Sequence, residues 1–519
     1  MAHPLAVRIA KALGVTPAPL VLPAPTRRPA VMPRRGRVRA YAAAATSRLL
    51  GPWSGTSQSA NKATRYQAHV IRHRARELRE NSPLIARYAR LVRDNIVGPD
   101  GPTLQAVVPS TRRENNQAAA DDIETAWYDW AMAATPDGRP LVDVLGDVAE
   151  SWKIEGEGLL ELIPDWDAPC GLWVLPLDPD LLDHTLNTER TARGTAIVQG
   201  IEYDARGRVV AFHLWDRHPS EGRGFRRPVP PERLLYIAER HRPQQARGVS
   251  RLASVMTTDE HLARLSEALV VLNRVTAAKM GVLTQDETAE AIEGEDGAPP
   301  EIEQAPGEWW VLPKGYKADM LDPGQPTAEF DAFQRYLTQL IATGLGVSYE
   351  ALSGNYKGAT YSSARQALLV ERDGWMADQA RFIACIMVPL YREWLRFAQL
   401  RRVFALPANL TPRTVAARSV FHPRRWPWVD PAKDADGVGK LLGLGLTTRT
   451  REANKQGLSF AELVRELESE QKAMEKAGLL PAPGAAPTPG APAPQSAPAP
   501  RPADDTGDDD EEPDDETED

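Results

Sequence analysis

The stretch Ser353–Met376, SGNYKGATYSSARQALLVERDGWM, changes character half-way through. Its first residues are glycine, tyrosine, serine, lysine and asparagine, which offer little to a core and much to a solvated loop. Gly344, Gly346, Gly354 and Gly358 give the surrounding backbone conformational freedom. The second half is helical. Ser363 with Gln366 three residues on has the form of a capping box. Trp375, Phe382, Ile383, Ile386, Leu390, Trp394 and Phe397 then share one face, out to about Leu400. At 1.5 Å per residue the rod would be on the order of 55 Å long, with a kink predicted at Pro389.

Upstream of the loop, two further helical patterns bracket an acidic insert. Thr257 and Glu260 read as a capping box, and Leu262, Leu265, Leu269 and Leu272 follow at helical spacing. The predicted helix Thr258–Lys279 would be about 33 Å long. The second, Glu329–Thr343, places Phe330, Phe333, Leu337, Leu340 and Ile341 on one side. Between them, Met280–Gln325 is broken by Pro299, Pro300 and Pro306 and ends in EWWVLPKGYKADML, which reads as a hairpin with Trp309 and Trp310 in a strand core or an interface.

Nearer the N-terminus, a helical pattern begins at Asn61. Ser82 then Pro83 marks a helix start, followed by Leu84, Tyr88, Leu91, Val92 and Ile96 on one face and a stop at Gly98. A helix is predicted around Glu114–Ala134, with Ile123, Trp127 and Trp130 on its apolar stripe. No element is assigned from there to Gly156. From Gly156 to about Ile237 the period falls to two, with IVQGIEYDARGRVVAFHLWD read as two strands around an Asp204–Gly207 turn. After the rod, HPRRWPWVDPAKDADG is a turn-rich connection to two or three short helices, the last with Phe460, Leu463, Val464, Leu467 and Met474 inward. Leu479–Pro502 is a Pro/Ala linker, expected to be extended, and an acidic tail, expected to be disordered, closes the chain. The fold class is α+β, mainly helical.

Composition bounds the function. The 519 residues allow two to four domains. No apolar run is long enough to span a membrane, and Met1–Arg39 lacks the apolar core of a secretory signal. Cys170 and Cys385 are too far apart for a disulfide framework or a CxxC metal pattern and suit a reducing compartment. The net charge of −8 is unevenly spread: twelve acids and no base lie between Ala503 and Asp519, and without them 62 bases face 58 acids. Residues 1–100 hold eighteen Lys/Arg against four Asp/Glu, whereas residues 280–326 hold eleven acids against Lys314 and Lys317. The chain thus has a basic head, an acidic insert and an acidic tail.

No catalytic set emerges. There is no GxxxxGK[ST] phosphate loop and no GxSxG elbow. His69 and His73 have helical i,i+4 spacing, but Arg65, Arg72, Arg74 and Arg76 around them would repel a cation. Asp178 and Asp180 form a carboxylate pair that a two-metal nuclease would need, although DPD after a strand is also a common turn.

The order of parts across Ala60–Lys476 resembles a bacteriophage portal protein of the lambda-like family. The segments that carry the resemblance are NSPLIARYARLVRDNIVG with the following LQA, VPPERLLYIAERHRPQQARGVSRLASV, PGQPTAEFDAFQRYLTQLIATGLGVSYEALSGNY, YSSARQALLVERDGW, and WPWVDPAKDADG leading to GLTTRTREANKQG. The resemblance implies a ring, usually of twelve subunits, at one vertex of the capsid. Double-stranded DNA enters through its channel during packaging and leaves through it during ejection. Implied partners are the terminase large subunit, the major capsid and scaffold proteins and the head–tail connector proteins, with assembly in the host bacterial cytoplasm. No catalytic activity, cofactor, metal or membrane association is implied.

Carried onto this chain, the family's parts fall as follows. Residues 1–60 are a disordered basic arm, 61–257 the wing, 258–279 the first stem helix, 280–326 the acidic clip and 327–346 the second stem helix. Residues 347–362 correspond to the tunnel loop, 363–429 to the long wing helix and return, 430–478 to the crown, and 479–519 to the linker and tail. The expected DNA-contacting residues are Asn355, Tyr356, Lys357, Tyr361 and Ser362. The expected stem packing residues are Leu262, Leu265, Leu269, Leu272, Phe333 and Leu337. The loop's chemistry suits contact with phosphates without base reading, and one lysine per subunit is a weak hold that moving DNA can escape. Two alternatives remain: a capsid-binding scaffold or adaptor without a channel, and a metal-dependent nuclease using Asp178 and Asp180.

Overall fold

The computed structural model describes residues 57–110, 116–222, 224–277, 281–285, 316–320, 328–427, 430–457 and 460–477. The predicted arm up to residue 56, Trp309 and Trp310, most of the acidic insert, the Pro/Ala linker and the acidic tail lie outside them.

The chain opens with α1 (Ala60–Thr64), α2 (Ala68–Asn81) and α3 (Pro83–Val92), the last running into a π turn at Arg93–Val97. The start of α3 is where the sequence places it. The Ser82 side chain accepts from the Ile85 N–H, Pro83 occupies the first turn, and Gly98 ends the element at φ 84°. Strand β1 (Thr103–Gln105) and α4 (Gln117–Ala131) follow. Helix α4 begins three residues later than predicted because the Asn116 side chain, accepting from the Ala119 N–H, is its cap. Its stripe of Ile123, Trp127 and Trp130 is buried as expected. Helix α5 (Leu141–Ile154), to which the sequence reading gave no element, buries Leu141, Val144, Leu145, Val148, Ala149 and Trp152 at helical spacing.

The β-rich part runs from β2 (Glu157–Pro164) through β3 (Leu172–Leu177), β4 (Ala196–Val198), β5 (Ile201–Tyr203), β6 (Val209–Trp215) and β7 (Arg226–Val229) to β8 (Leu234–Ala238). Strand β2 lies between β3 and β8, antiparallel to both, and β4 to β7 form a separate antiparallel meander. The segment read as two strands is therefore three. Gln199 and Gly200, both at positive φ, insert a turn ahead of the predicted one at Asp204–Gly207. A side chain at Gly200 would meet the Asp183 carbonyl oxygen at 2.5 Å, which requires glycine there.

A 3₁₀ turn (Arg251–Ser254) feeds α6 (Met256–Ala277). Thr257 is already inside that helix, so the predicted Thr257–Glu260 capping box does not form. The preceding turn closes with Val255 N–H on the Leu252 carbonyl and passes directly into helical geometry. Strands β9 (Gly281–Gln285) and β10 (Tyr316–Met320) pair antiparallel across the base of the insert. Strand β10 is the end of the predicted hairpin, and its partner lies at the insert's opposite end.

Helix α7 (Ala328–Leu345), the short α8 (Tyr349–Ser353) and α9 (Tyr361–Phe382) come next. A π turn at Ile383–Met387 joins α9 to α10 (Val388–Leu400), followed by α11 (Pro412–Ala416), β11 (Val420–His422), α12 (Pro431–Gly443), α13 (Arg449–Lys455) and α14 (Phe460–Lys476). The break predicted at Pro389 is taken up by that π turn. The Val388 N–H reaches back five residues to the Ile383 carbonyl, which redistributes the bonds around a residue that cannot donate. Strand β11 pairs with β1, bringing the end of the chain's core back to its beginning.

The main core gathers around α9 and α10. Trp375, Phe382, Ile386, Leu390 and Trp394 are buried, with Ile383 and Phe397 packed beside them. Trp127 meets Trp394 edge-on at 5.1 Å, and the Trp130 indole donates to the Leu172 carbonyl at 2.9 Å. Lys153 of α5 reaches Asp378 of α9 at 2.7 Å. A smaller cluster of Leu159, Leu182, Ile201, Phe212, Leu214, Val229 and Leu234 fills the space between the two sheets. At the far end, Leu467 and Met474 of α14 are exposed rather than inward, and α12 buries none of its residues.

Candidate functional site

The loop between α7 and α9 is built from its two ends. Gly344, read from sequence as a source of backbone freedom, is helical, and its role is close approach: a Cβ there would lie 2.3 Å from Val255 Cγ1. Gly346, Gly354 and Gly358 do adopt positive φ, where side chains are strained. Helix α8 is capped by Ser348, whose hydroxyl accepts from the Ala351 N–H at 3.2 Å, and Gly354 closes it in the left-handed region.

Glu371, one buried carboxylate on α9, ties this turn down. Its Oε2 accepts from both the Ser348 backbone N–H (3.0 Å) and the Ser348 hydroxyl (2.7 Å). Its Oε1 accepts from the Trp375 indole N–H at 3.0 Å. The sequence reading gave Glu371 no role, since its partners are apparent only once α9 folds back along α8.

Beyond α8 the tip is open. Asn355 accepts from the Lys357 N–H at 3.0 Å in a local Asx turn. Tyr356 and Tyr361 are each 64% exposed, and Asn355, Lys357 and Ser362 are exposed with them. The predicted cap is displaced by three residues. Thr360 caps α9 and forms the reciprocal box with Ser363, because the Thr360 side chain accepts from Ser363 N–H while Ser363 Oγ accepts from Thr360 N–H. Tyr361 and Ser362 therefore sit on the first turn of the helix, and the irregular part of the loop shrinks to residues 354–360.

The predicted packing residues of the two helices flanking the insert do not form one buried seam. Leu262 is buried, Leu265, Leu269, Leu272 and Leu337 are half-buried, and Phe333 is 51% exposed. Val270, Val271, Tyr336 and Leu340 are also exposed. These side chains leave an apolar surface without a covering element among the described residues.

Asp178 and Asp180 do come together, with His218 Nε2 at 4.0 and 3.7 Å. Arginines occupy both carboxylates. Arg76 reaches Asp178 at 2.6 Å and Asp180 at 2.7 Å, and Arg72 reaches Asp180 at 2.6 Å. Burial works to raise the Asp180 pKa, and Arg72 and Arg76 overcome it, holding the carboxyl below the usual range. Next to it Glu157, fully buried, accepts from Arg247 (2.6 and 2.7 Å), Arg72 (2.6 Å), the Gly248 N–H (2.7 Å) and the Tyr236 hydroxyl (2.5 Å). Burial alone would push Glu157 up, but the two guanidinium groups bring it down to about 2. This is an ion-pair lattice that fastens α2 to the sheets. Two guanidinium groups where a divalent ion would sit oppose the nuclease alternative. His69 and His73 face each other edge-on at 6.3 Å, while His69 stacks on His184 at 4.8 Å, so the two do not converge as ligands.

The family model described as "Phage portal protein, lambda family" matches residues 46–379. The chain belongs to that family. Among curated relatives, it is 27% identical over 424 residues to the probable portal protein of Halomonas phage phiHAP-1, covering 77% of this chain and 80% of that one. It is 24% identical over 481 residues to the portal protein of Escherichia phage N15, covering 83% and 89%. It is 32% identical over 158 residues to portal protein B of Escherichia phage lambda, covering 29% and 30%. Among solved structures, a chain from the virion of a native gene transfer agent particle overlaps 75% of this chain and 93% of its own length at 14% identity, with a TM-score of 0.43. The matched region of this portal protein includes α6, α7, the glycine–tyrosine loop and nearly all of α9.

Proposed function

We propose that this portal protein assembles into a ring, usually of twelve copies, at one capsid vertex, and that its channel carries double-stranded DNA inward during packaging and outward during ejection. Family membership supports the portal role. The apolar surface of α6 and α7 supports assembly: Val270, Val271, Phe333, Tyr336 and Leu340 present large side chains to solvent in the single subunit, where a second copy would cover them. In this reading Met256–Ala277 and Ala328–Leu345 are the stem, the insert between them the clip that meets the terminase, and residues 431–476 the crown.

The observation that carries the DNA role is the pairing of a fixed base with a solvated tip. Glu371 holds the Ser348 turn, while Tyr356 and Lys357 project from residues bracketed by Gly354 and Gly358. A single lysine with tyrosine and serine hydroxyls contacts phosphates weakly and reads no bases. Imaging of purified protein tests the proposal. End-on views are expected to show closed rings with a hole wide enough for a duplex and residues 354–360 at its inner rim. A protein that stays monomeric, or rings that turn this segment outward, would overturn it. Asp178→Ala is expected to change no DNA cleavage, and metal-dependent cleavage abolished in that variant would restore the nuclease alternative.

A further inference from the structure

We propose that Arg372, Arg424 and Arg425 form a second, stronger phosphate-binding patch for the backbone of duplex DNA, at the junction between α9 and the segment that leads into α12. The inference rests on the DNA-channel reading above and adds to it a site with the residues that make it.

The three arginines are half-buried, yet none has a carboxylate partner among the described residues. Other half-buried arginines, such as Arg76, Arg93 and Arg227, meet Asp or Glu within 2.8 Å. Arg372 instead donates to the Pro427 carbonyl at 3.4 Å, and Arg424 to the Asn95 side-chain oxygen at 3.0 Å and to the Asp94 carbonyl. Arg425 makes no side-chain hydrogen bond among the described residues, and its buried Nε, like that of Arg372, has no acceptor there. The acids nearby are already engaged: Asp430 with Lys433 at 3.1 Å and Asp434 with Arg365 at 3.3 Å. Burial, and then repulsion from Arg424, lowers the Arg372 pKa against a weaker opposing pull from Asp434, and burial does the same to Arg425. An arrangement that concentrates positive charge at a cost, with no carboxylate in ion-pair contact among the described residues, is complementary to an anion supplied from outside.

The patch is also held rigidly. Arg372 and Arg424 both lie against the Trp426 ring, with Cζ atoms 5.5 and 5.9 Å from its centroid. The Trp426 indole N–H donates to Asn95 Oδ1 at 3.0 Å, and Gln379 bridges the Asn95 and Arg424 carbonyls at 2.7 and 3.0 Å. Guanidinium groups fixed by such a frame lose little freedom when they bind.

Position selects duplex DNA over a protein acid. Tyr361, Arg365, Leu368 and Arg372 follow at helical spacing along one stripe of α9, starting at the base of the Lys357 loop. From Tyr361 to Arg372 the stripe covers about 17 Å, roughly half of one duplex turn of about 34 Å. A duplex that touches the loop would thus lay further phosphates along the same side.

The test uses full-length rings and a random-sequence duplex of about three helical turns, titrated across a salt series. Wild-type rings are expected to bind with a steep salt dependence. The triple change Arg372→Gln, Arg424→Gln, Arg425→Gln should weaken binding and flatten the log–log slope by about 0.9 for each phosphate that is no longer neutralised. Arg425→Gln alone is the control against misfolding, since the Arg425 side chain donates no hydrogen bond among the described residues, and it should lower the slope while leaving the melting temperature unchanged. Equal affinity and slope in wild type and both variants would overturn the inference. Loss of the ring in the triple variant, with Arg425→Gln binding DNA as wild type does, would show that the patch instead holds an acidic segment of a neighbouring copy, and would also overturn it. Wild-type rings that bind no duplex would also overturn the inference, whereas end-on images without a hole wide enough for a duplex would contradict the channel reading itself, an outcome distinct from these.

Discussion

Glu371 and Ser348 are joined by two hydrogen bonds, one to the backbone N–H and one to the hydroxyl, across 23 positions of sequence. The pair holds the turn after α7 against α9, so the solvated tip begins from a fixed point. Hydrogen bonds to a buried carboxylate contribute about 1.5–3 kcal/mol. Glu371→Ala should therefore lower the unfolding midpoint and raise hydrogen exchange at residues 348–354, while rings still form. Unchanged exchange in that turn would remove Glu371 from this role.

The tip itself should matter for DNA and not for folding. Tyr356 and Lys357 are exposed, and surface changes of this kind usually shift stability by less than about 0.5 kcal/mol. Tyr356→Ala with Lys357→Gly is expected to leave ring assembly intact and to reduce DNA packaging or retention. The length of packaged genome is the measurement, and a normal length would refute the assignment of the loop.

What the sequence disclosed and what it hid follow from the range of each interaction. Ser82 and Pro83 mark the start of α3 correctly because a cap is satisfied within three residues. The start of α9 is displaced because two overlapping patterns, Thr360 with Ser363 and Ser363 with Gln366, both satisfy a local rule. Helix α5 had its signal in plain view, in the spacing of Leu141, Val144, Leu145, Val148 and Trp152, but Pro140 offers no capping side chain to mark where it begins. Glu371, and the contact of Arg72 with Glu157 across 85 residues, have no local signature at all. Phe333 was read as packed because it is apolar at helical spacing, and the single subunit leaves it exposed.

The Glu157 lattice should be visible as an acid limb of stability. Glu157 is held at about 2 in the folded protein, against about 4.3 for an unperturbed glutamate. Its folded value is depressed, so its contribution is fully present above about 4.3 and disappears as pH falls towards 2, amounting to about 3 kcal/mol. Asp180 is shifted in the same direction and adds to this limb. Glu157→Gln leaves Arg247 buried without its carboxylate and Arg72 with Asp180 alone, and should cost about 3–5 kcal/mol near neutrality. Denaturant midpoints measured from pH 6 to pH 2.5 should fall steeply for the wild type and less steeply for the variant. Parallel curves would show that the lattice is not linked to pH in this way.

The two helices that flank the insert separate folding from assembly. Leu262 is buried within the subunit, whereas Val271 on the same helix and Phe333 on its neighbour are each 51% exposed. A charge at the first position enters a packed site and carries a desolvation penalty, and a charge at the other two does so only when another copy covers them. Leu262→Asp should therefore lower the melting temperature of the subunit itself. Val271→Asp and Phe333→Asp should leave the far-ultraviolet circular dichroism of the subunit unchanged and abolish the ring. Mass photometry distinguishes the cases directly. Intact rings in both exposed-face variants would mean that this surface is not where copies meet, and the oligomer would then have to close through α9 or the helices beyond residue 430.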